Sequence, residues 1–179
     1  MKCAVAANFS THFSKVSLKS SSQKEELVLE FENTIAIERP IDELFAFLSD
    51  FENIPKWNYY VLEVRQISES PIGIGTTYHQ LRKTDEQDFR IIEFEPNNTV
   101  AVKTLPQSSP SFERRFTLYE EGDTTRIRDQ WKLDTGRPAL LERLARGRVK
   151  SAVSENLSKL KELLQEGRVV LQDGREVTL

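Results

Sequence analysis

Two charged residues inside an apolar pattern are the first place to look for chemistry. Phe112, Arg114 and Phe116 alternate with polar neighbours, and so do Ile127, Asp129 and Trp131. Glu121-Gly122, between the two runs, reads as a two-residue hairpin loop. With that loop Phe116 faces Ile127, Arg114 faces Asp129 and Phe112 faces Trp131. Side chains repeat every two residues along a strand, so the three pairs share one face, the apolar one. Opposed Cβ atoms lie about 5 Å apart, close enough for a bidentate guanidinium–carboxylate pair. A charge buried alone is costly, so such a pair satisfies itself or serves something else. In the second case Arg114 offers donors to a ligand's carboxylate, hydroxyl or carbonyl, and Asp129 holds it. A longer loop with a bulge would slip this register.

Acid–base chemistry has two weak candidates. Asp129 is one, although a neighbouring arginine keeps a carboxylate in its ionised form. His79 is the other, because histidine is the default proton carrier near neutral pH. In its strand Thr77, His79 and Leu81 alternate with Tyr78, Gln80 and Arg82, and either face can be the inner one. A lone histidine without a fixed partner is more commonly structural. Tyr59 or Tyr60 can present a hydroxyl, and Trp57 is large enough to wall off one end of an interior space. The chain has no Cys/His pair, no serine nucleophile motif, no glycine-rich phosphate loop and no two-histidine metal spacing. With one cysteine, Cys3, and two histidines, a disulfide framework and a structural zinc site are excluded. No metal and no cofactor is expected.

The elements that would position these residues follow from periodicity. Residues 27–38 alternate as a half-buried strand. Pro40 opens a helix with Ile41, Leu44, Phe45 and Leu48 on one side. Asp50 caps a short second turn that ends at Pro55. Strand patterns follow at 61–67, 76–83, 89–95, 99–105, 112–120 and 124–133, with turns spaced as in an antiparallel meander. Gly73 and Gly75 sit in one of these turns, where positive φ is expected. Pro138 opens a long helix whose apolar stripe includes Leu141, Leu144, Val149, Ala152, Val153, Leu157, Leu160 and Leu164. Gly147 inside it allows a close approach of the sheet or a ligand, or softens the helix. One helix cannot cover six or seven flat strands, so the sheet must curl around it. The space between is filled by side chains or by a ligand.

This order of elements resembles the START-like, helix-grip superfamily, which includes polyketide cyclase/dehydrase-like and lipid-transport proteins. The resemblance is carried by ERPIDELFAFLSDFENIPKWN at 38–58, SPIGIGTTY at 70–78, IIEFEPNNTVAVK at 91–103, FTLYEEGDTTRIR at 116–128 and the terminal helix. It implies an α+β fold with a curved antiparallel sheet wrapped around the long C-terminal helix. It also implies a cavity for an apolar or amphipathic molecule such as a lipid, isoprenoid, quinone or polyketide-like ring. It does not imply catalysis, because one fold hosts many activities. The expected ligand-binding set is Trp57, Tyr60, His79, Phe112, Arg114, Phe116, Ile127, Asp129 and Trp131 from the sheet side, with Leu141, Leu144 and Arg148 from the helix. Alternatives are a cyclase or dehydratase that works by folding its substrate, and a protein-interaction module with a filled cavity.

The two chain ends and the charge distribution remain. Residues 1–26 are serine-rich and largely basic, as in a disordered arm or an organelle transit peptide. Without such targeting a cytoplasmic protein is expected. Residues 27–166 form the ligand-binding domain. Residues 167–179 follow a helix stop at Gly167. They suit a small docked hairpin, a strand offered to another subunit or, as isolated two-stranded pieces tend to be, a frayed tail. The net charge of −3 argues against nucleic acid as a partner. Arg143, Arg146 and Lys150 share a helix face that is solvated or meets an anionic membrane surface. Oligomeric state stays open.

Overall fold

The structure, a computed structural model, describes residues 28–69, 71–134 and 139–179, with side chains of the last stretch from Arg146 onward. The N-terminal arm with Cys3, the expected helix opening at Pro138, and the side chains of Leu141, Arg143 and Leu144 lie outside the described residues.

Strand β1 (Leu29–Ile37) leads into α1 (Ile41–Ser49) and a short 3-10 turn (Phe51–Lys56). Six strands follow: β2 (Val61–Gln66), β3 (Thr77–Arg82), β4 (Glu86–Glu95), β5 (Thr99–Thr104), β6 (Ser111–Glu121) and β7 (Thr124–Asp134). They form one antiparallel sheet in the order β1-β7-β6-β5-β4-β3-β2. The first and second strands are therefore opposite edges. The segment holding α1 and the 3-10 turn carries the chain across, and the meander returns it to β1. Alternation specifies the inner face: Phe112, Arg114, Phe116 and Leu118 of β6 are all buried, with less buried neighbours between them.

Pro55 lies inside the 3-10 turn and does not end it. Asp50 accepts a hydrogen bond from the Glu52 amide at 3.2 Å, and the amides of Trp57 and Asn58 close on the Ile54 carbonyl at 3.2 and 2.9 Å. The bond that proline cannot donate is thus bypassed. Trp57 is thereby fixed in the interior.

Helix α2 (Ala139–Glu166) changes character along its described side chains, which begin at Arg146. In its C-terminal half Leu157, Leu160, Leu163 and Leu164 are buried at helical spacing. Residues 146–155 are exposed or half-buried. A Cβ on Gly147 would meet nothing, so this glycine serves no close approach. The helix C-terminus is capped from afar: Arg39 Nε donates to the Leu164 carbonyl at 2.7 Å, satisfying an oxygen the helix cannot.

The tail is ordered as a hairpin. Gly167, at φ 73°, stops α2, and β8 (Arg168–Val170) pairs with β9 (Glu176–Thr178). An isolated pair of strands would fray, but this one buries Val169 and Leu171 against the core. Lys83 binds Asp173 at 2.8 Å, and Arg175 Nη2 donates to the Tyr59 carbonyl at 3.1 Å. The hydrogen bond to Lys83 is the main reason the Asp173 carboxyl falls to about 2.

The β6–β7 register differs from the expected one. Glu121 pairs with Thr124, so Gly122-Asp123 is the loop. Gly122 takes φ 64°. Two-residue hairpins of the II′ kind put glycine first, and the expected loop would have put Glu121 there. The slip is two residues, which preserves the face. Arg114 is opposite Trp131, Phe116 opposite Asp129, Phe112 opposite Leu133 and Leu118 opposite Ile127.

Candidate functional site

Arg114 and Asp129 are therefore diagonal neighbours, and the long arginine side chain spans the diagonal. Arg114 Nε donates to Asp129 Oδ1 at 2.9 Å and Nη2 to Oδ2 at 2.8 Å. Trp131 Nε1 donates to the same Oδ2 at 3.1 Å. The pair is deep, with Arg114 5% and Asp129 0% exposed. The guanidinium carbon lies 4.2 Å from the centre of the Phe116 ring, 4.5 Å from Trp131 and 5.3 Å from Trp57. Three ring faces and one carboxylate thus compensate its desolvation.

Arg114 forms part of the wall of a cavity of about 350 Å³. Trp57, Phe89, Phe112 and Trp131 give it an aromatic lining, and half-buried Val149, Ala152 and Val153 with buried Asn156 close it from α2. The tightly packed C-terminal turns of the helix fix its position, and the stretch from Val149 to Asn156 roofs the space. At one end Asn156 Nδ2 donates to Asn58 Oδ1 at 3.1 Å, and Gln172 of the tail donates to Asn156 Oδ1 at 3.3 Å. That end is tied to the hairpin.

The expected site residues separate into groups. Trp57, Tyr60, Phe112, Arg114 and Trp131 line the cavity together. Asp129 and Phe116 stand behind Arg114, buried and outside the lining. Ile127 is core beneath Leu118. His79 is on the other face of the sheet: its Nδ1 lies 2.8 Å from Asp88 and its Nε2 3.5 Å from Glu86. The inner face of β3 is instead Tyr78 and Gln80, both buried. Arg148 is exposed and lines no part of the cavity. Arg146 and Lys150 are exposed beside Glu30, Glu32 and Glu113 along a surface groove, so the groove carries both signs of charge.

Sequence reasoning left Gln80 unassigned and did not single out Asn58 or Asn156. The position of Gln80, one inward step from Tyr78, was the available signal. Tyr78 itself is fully buried, and its hydroxyl has no hydrogen-bond partner among the described residues. Burial, with smaller contributions from the Asp50 and Glu52 charges, pushes this phenol up to about 12.

A family described as polyketide cyclase / dehydrase and lipid transport matches residues 28–165. The chain belongs to this family. Its members' fold appears in solved structures of low sequence identity. A START superfamily protein from Mycobacterium smegmatis is 16% identical, with a TM-score of 0.62 over 75% of this chain and 98% of the other. Protein MLL2253 from Mesorhizobium loti is 20% identical, with a TM-score of 0.60 over 76% and 97%. The di-domain ARO/CYC StfQ of the steffimycin biosynthetic pathway is 13% identical, with a TM-score of 0.63 over 79% of this chain and 52% of StfQ. None of the curated proteins compared matches the chain. The family and the sheet around a long helix establish the helix-grip fold. No helix among the described residues is long and apolar enough to cross a membrane.

Proposed function

We propose that the protein binds or carries a small apolar or amphipathic molecule in this cavity, with the molecule's polar end on Arg114. The observation that carries the reading is the division of the Arg114 guanidinium. Its Nε and Nη2 edge is committed to Asp129, while Nη1 has no hydrogen-bond partner among the described residues. A guanidinium fixed on one edge and open on the other is a preorganised donor for a carboxylate, carbonyl or hydroxyl. Lipids, isoprenoids, quinones and polyketide-like rings all fit an aromatic space with one such donor.

The likeness to StfQ supports a second reading, a cyclase or dehydratase that folds its substrate within the walls. The polar lining favours binding over that reading. Among the described lining residues there are amides, phenols and arginines, but no carboxylate and no histidine. Asp129 spends both oxygens on Arg114 and Trp131.

Native mass spectrometry of the protein from its own source, followed by denaturing extraction, tests this. The expected result is an adduct of defined mass that is released on unfolding. A protein that shows no adduct, even after incubation with biphenyl-4-carboxylate, contradicts the proposal.

A further inference from the structure

We infer that Gln80 is a second recognition point in the cavity, so that the ligand is polar at both ends: an acceptor at Arg114, a hydroxyl or amide-like group at Gln80, and an apolar middle. This rests on the cavity being a ligand site. Gln80 lies on the inner face of β3, is 6% exposed and lines the cavity. Its amide carries two donors and an acceptor oxygen, yet it has no side-chain hydrogen bond among the described residues. Buried amides nearly always have partners. The directly opposed residue, Gln87, does not supply one. Its Nε2 is committed to the Pro110 carbonyl at 2.6 Å, and its Oε1 is buried without a partner. Hydrogen-bonding capacity at this end is thus left unmet by the surrounding residues.

The register sets how far this point lies from Arg114. Arg114 is opposite Val102, and Val102 is opposite Ile91. Gln80 is opposite Gln87, four residues before Ile91 on β4. Four residues of strand are about 13 Å along the sheet, and the three strand spacings from β6 to β3 add about 14 Å across it, a gap that the curl of the sheet and the inward reach of both side chains shorten. Phe89 occupies the inner position midway, and Phe112 lies two residues from Arg114 on β6; both line the cavity. The floor therefore runs from a cation, across aromatic rings, to an amide. A single-headed lipid would pair Arg114 and leave Gln80 desolvated and unpaired, which a polar site penalises heavily.

The test compares ligands that differ only at the far end. Quenching of Trp57 and Trp131, the two tryptophans of the chain, is titrated with 4′-hydroxybiphenyl-4-carboxylate and its 4′-methyl counterpart. A flexible pair, 12-hydroxydodecanoate and tridecanoate, allows for a different reach. The hydroxyl member of at least one pair is expected to bind about tenfold more tightly to the natural protein. Gln80→Met keeps the length of the side chain and should abolish that preference, with the methyl member binding as before. Gln80→Leu serves if the methionine variant melts early. Equal binding of hydroxyl and methyl members in both pairs, or a preference that survives both substitutions, overturns the inference and leaves the cavity reading standing. Failure of all four probes to bind overturns both.

Discussion

Strands β6 and β7 carry the same chemical pair twice, on opposite faces. On the inner face Arg114 grips Asp129 through two parallel hydrogen bonds; at the hairpin end Arg126 grips Glu121 in the same way, at 2.7 Å for both contacts. Geometry does not distinguish them, but surroundings do. The inner pair is buried among Phe116, Trp131 and Trp57, while Arg126 and Glu121 are open to solvent. Water screens the outer pair and would replace either partner, so it contributes little. The inner pair has lost its water, so neither member can be removed cheaply, and what it holds in place is held firmly.

The largest effect expected from this contrast is on Arg114→Met alone. It strands a buried carboxylate and should cost about 3–5 kcal/mol, read from urea denaturation; a loss near zero would mean that the pair is wet. Replacing both members, Arg114→Met with Asp129→Val, removes the stranded charge, and most of that stability should return in the same assay. Tyr78→Phe removes an inner-face hydroxyl that has no partner among the described residues, and should stabilise by about 1 kcal/mol. Its pH dependence has a definite sign. The folded state holds the phenol up at about 12 against an ordinary 10.0. The neutral form is therefore favoured by folding: stability is complete below pH 10 and declines as pH rises toward 12. Denaturation followed from below pH 10 up to about pH 12 should show that decline in the natural protein and less of it in the variant. Arg126→Met, the outer counterpart of the first variant, should leave the denaturation midpoint unmoved at physiological salt.

Legibility in the sequence followed the contrast between the two faces of each strand. In β6 the inward set Phe112, Arg114, Phe116 and Leu118 stands out against charged neighbours, so the face, the buried arginine and its partner could all be read. The register could not, because Glu121-Gly122 and Gly122-Asp123 are both turn dipeptides. The φ of Gly122 decides between them. In β3 each face offers one large apolar residue, Tyr78 or Leu81, and periodicity does not choose between them. The choice is made by packing, where Tyr78 stacks on Phe89 at 5.3 Å, and it sends His79 outward and Gln80 inward. The tail was ambiguous for another reason: Val169 and Leu171 look like a short strand anywhere, and what keeps it folded is tertiary, their burial in the core and the contacts of Gln172, Asp173 and Arg175.

One titration tests the role of the buried pair most directly. The Arg114→Met, Asp129→Val double variant separates holding the fold from holding a ligand, and its two cavity tryptophans report binding of biphenyl-4-carboxylate. The expected result is a variant about as stable as the natural protein whose affinity for this probe falls by about tenfold or more, the loss expected for a charge-assisted hydrogen bond. A stable double variant that binds biphenyl-4-carboxylate as tightly as the natural protein would show that the pair serves the core alone.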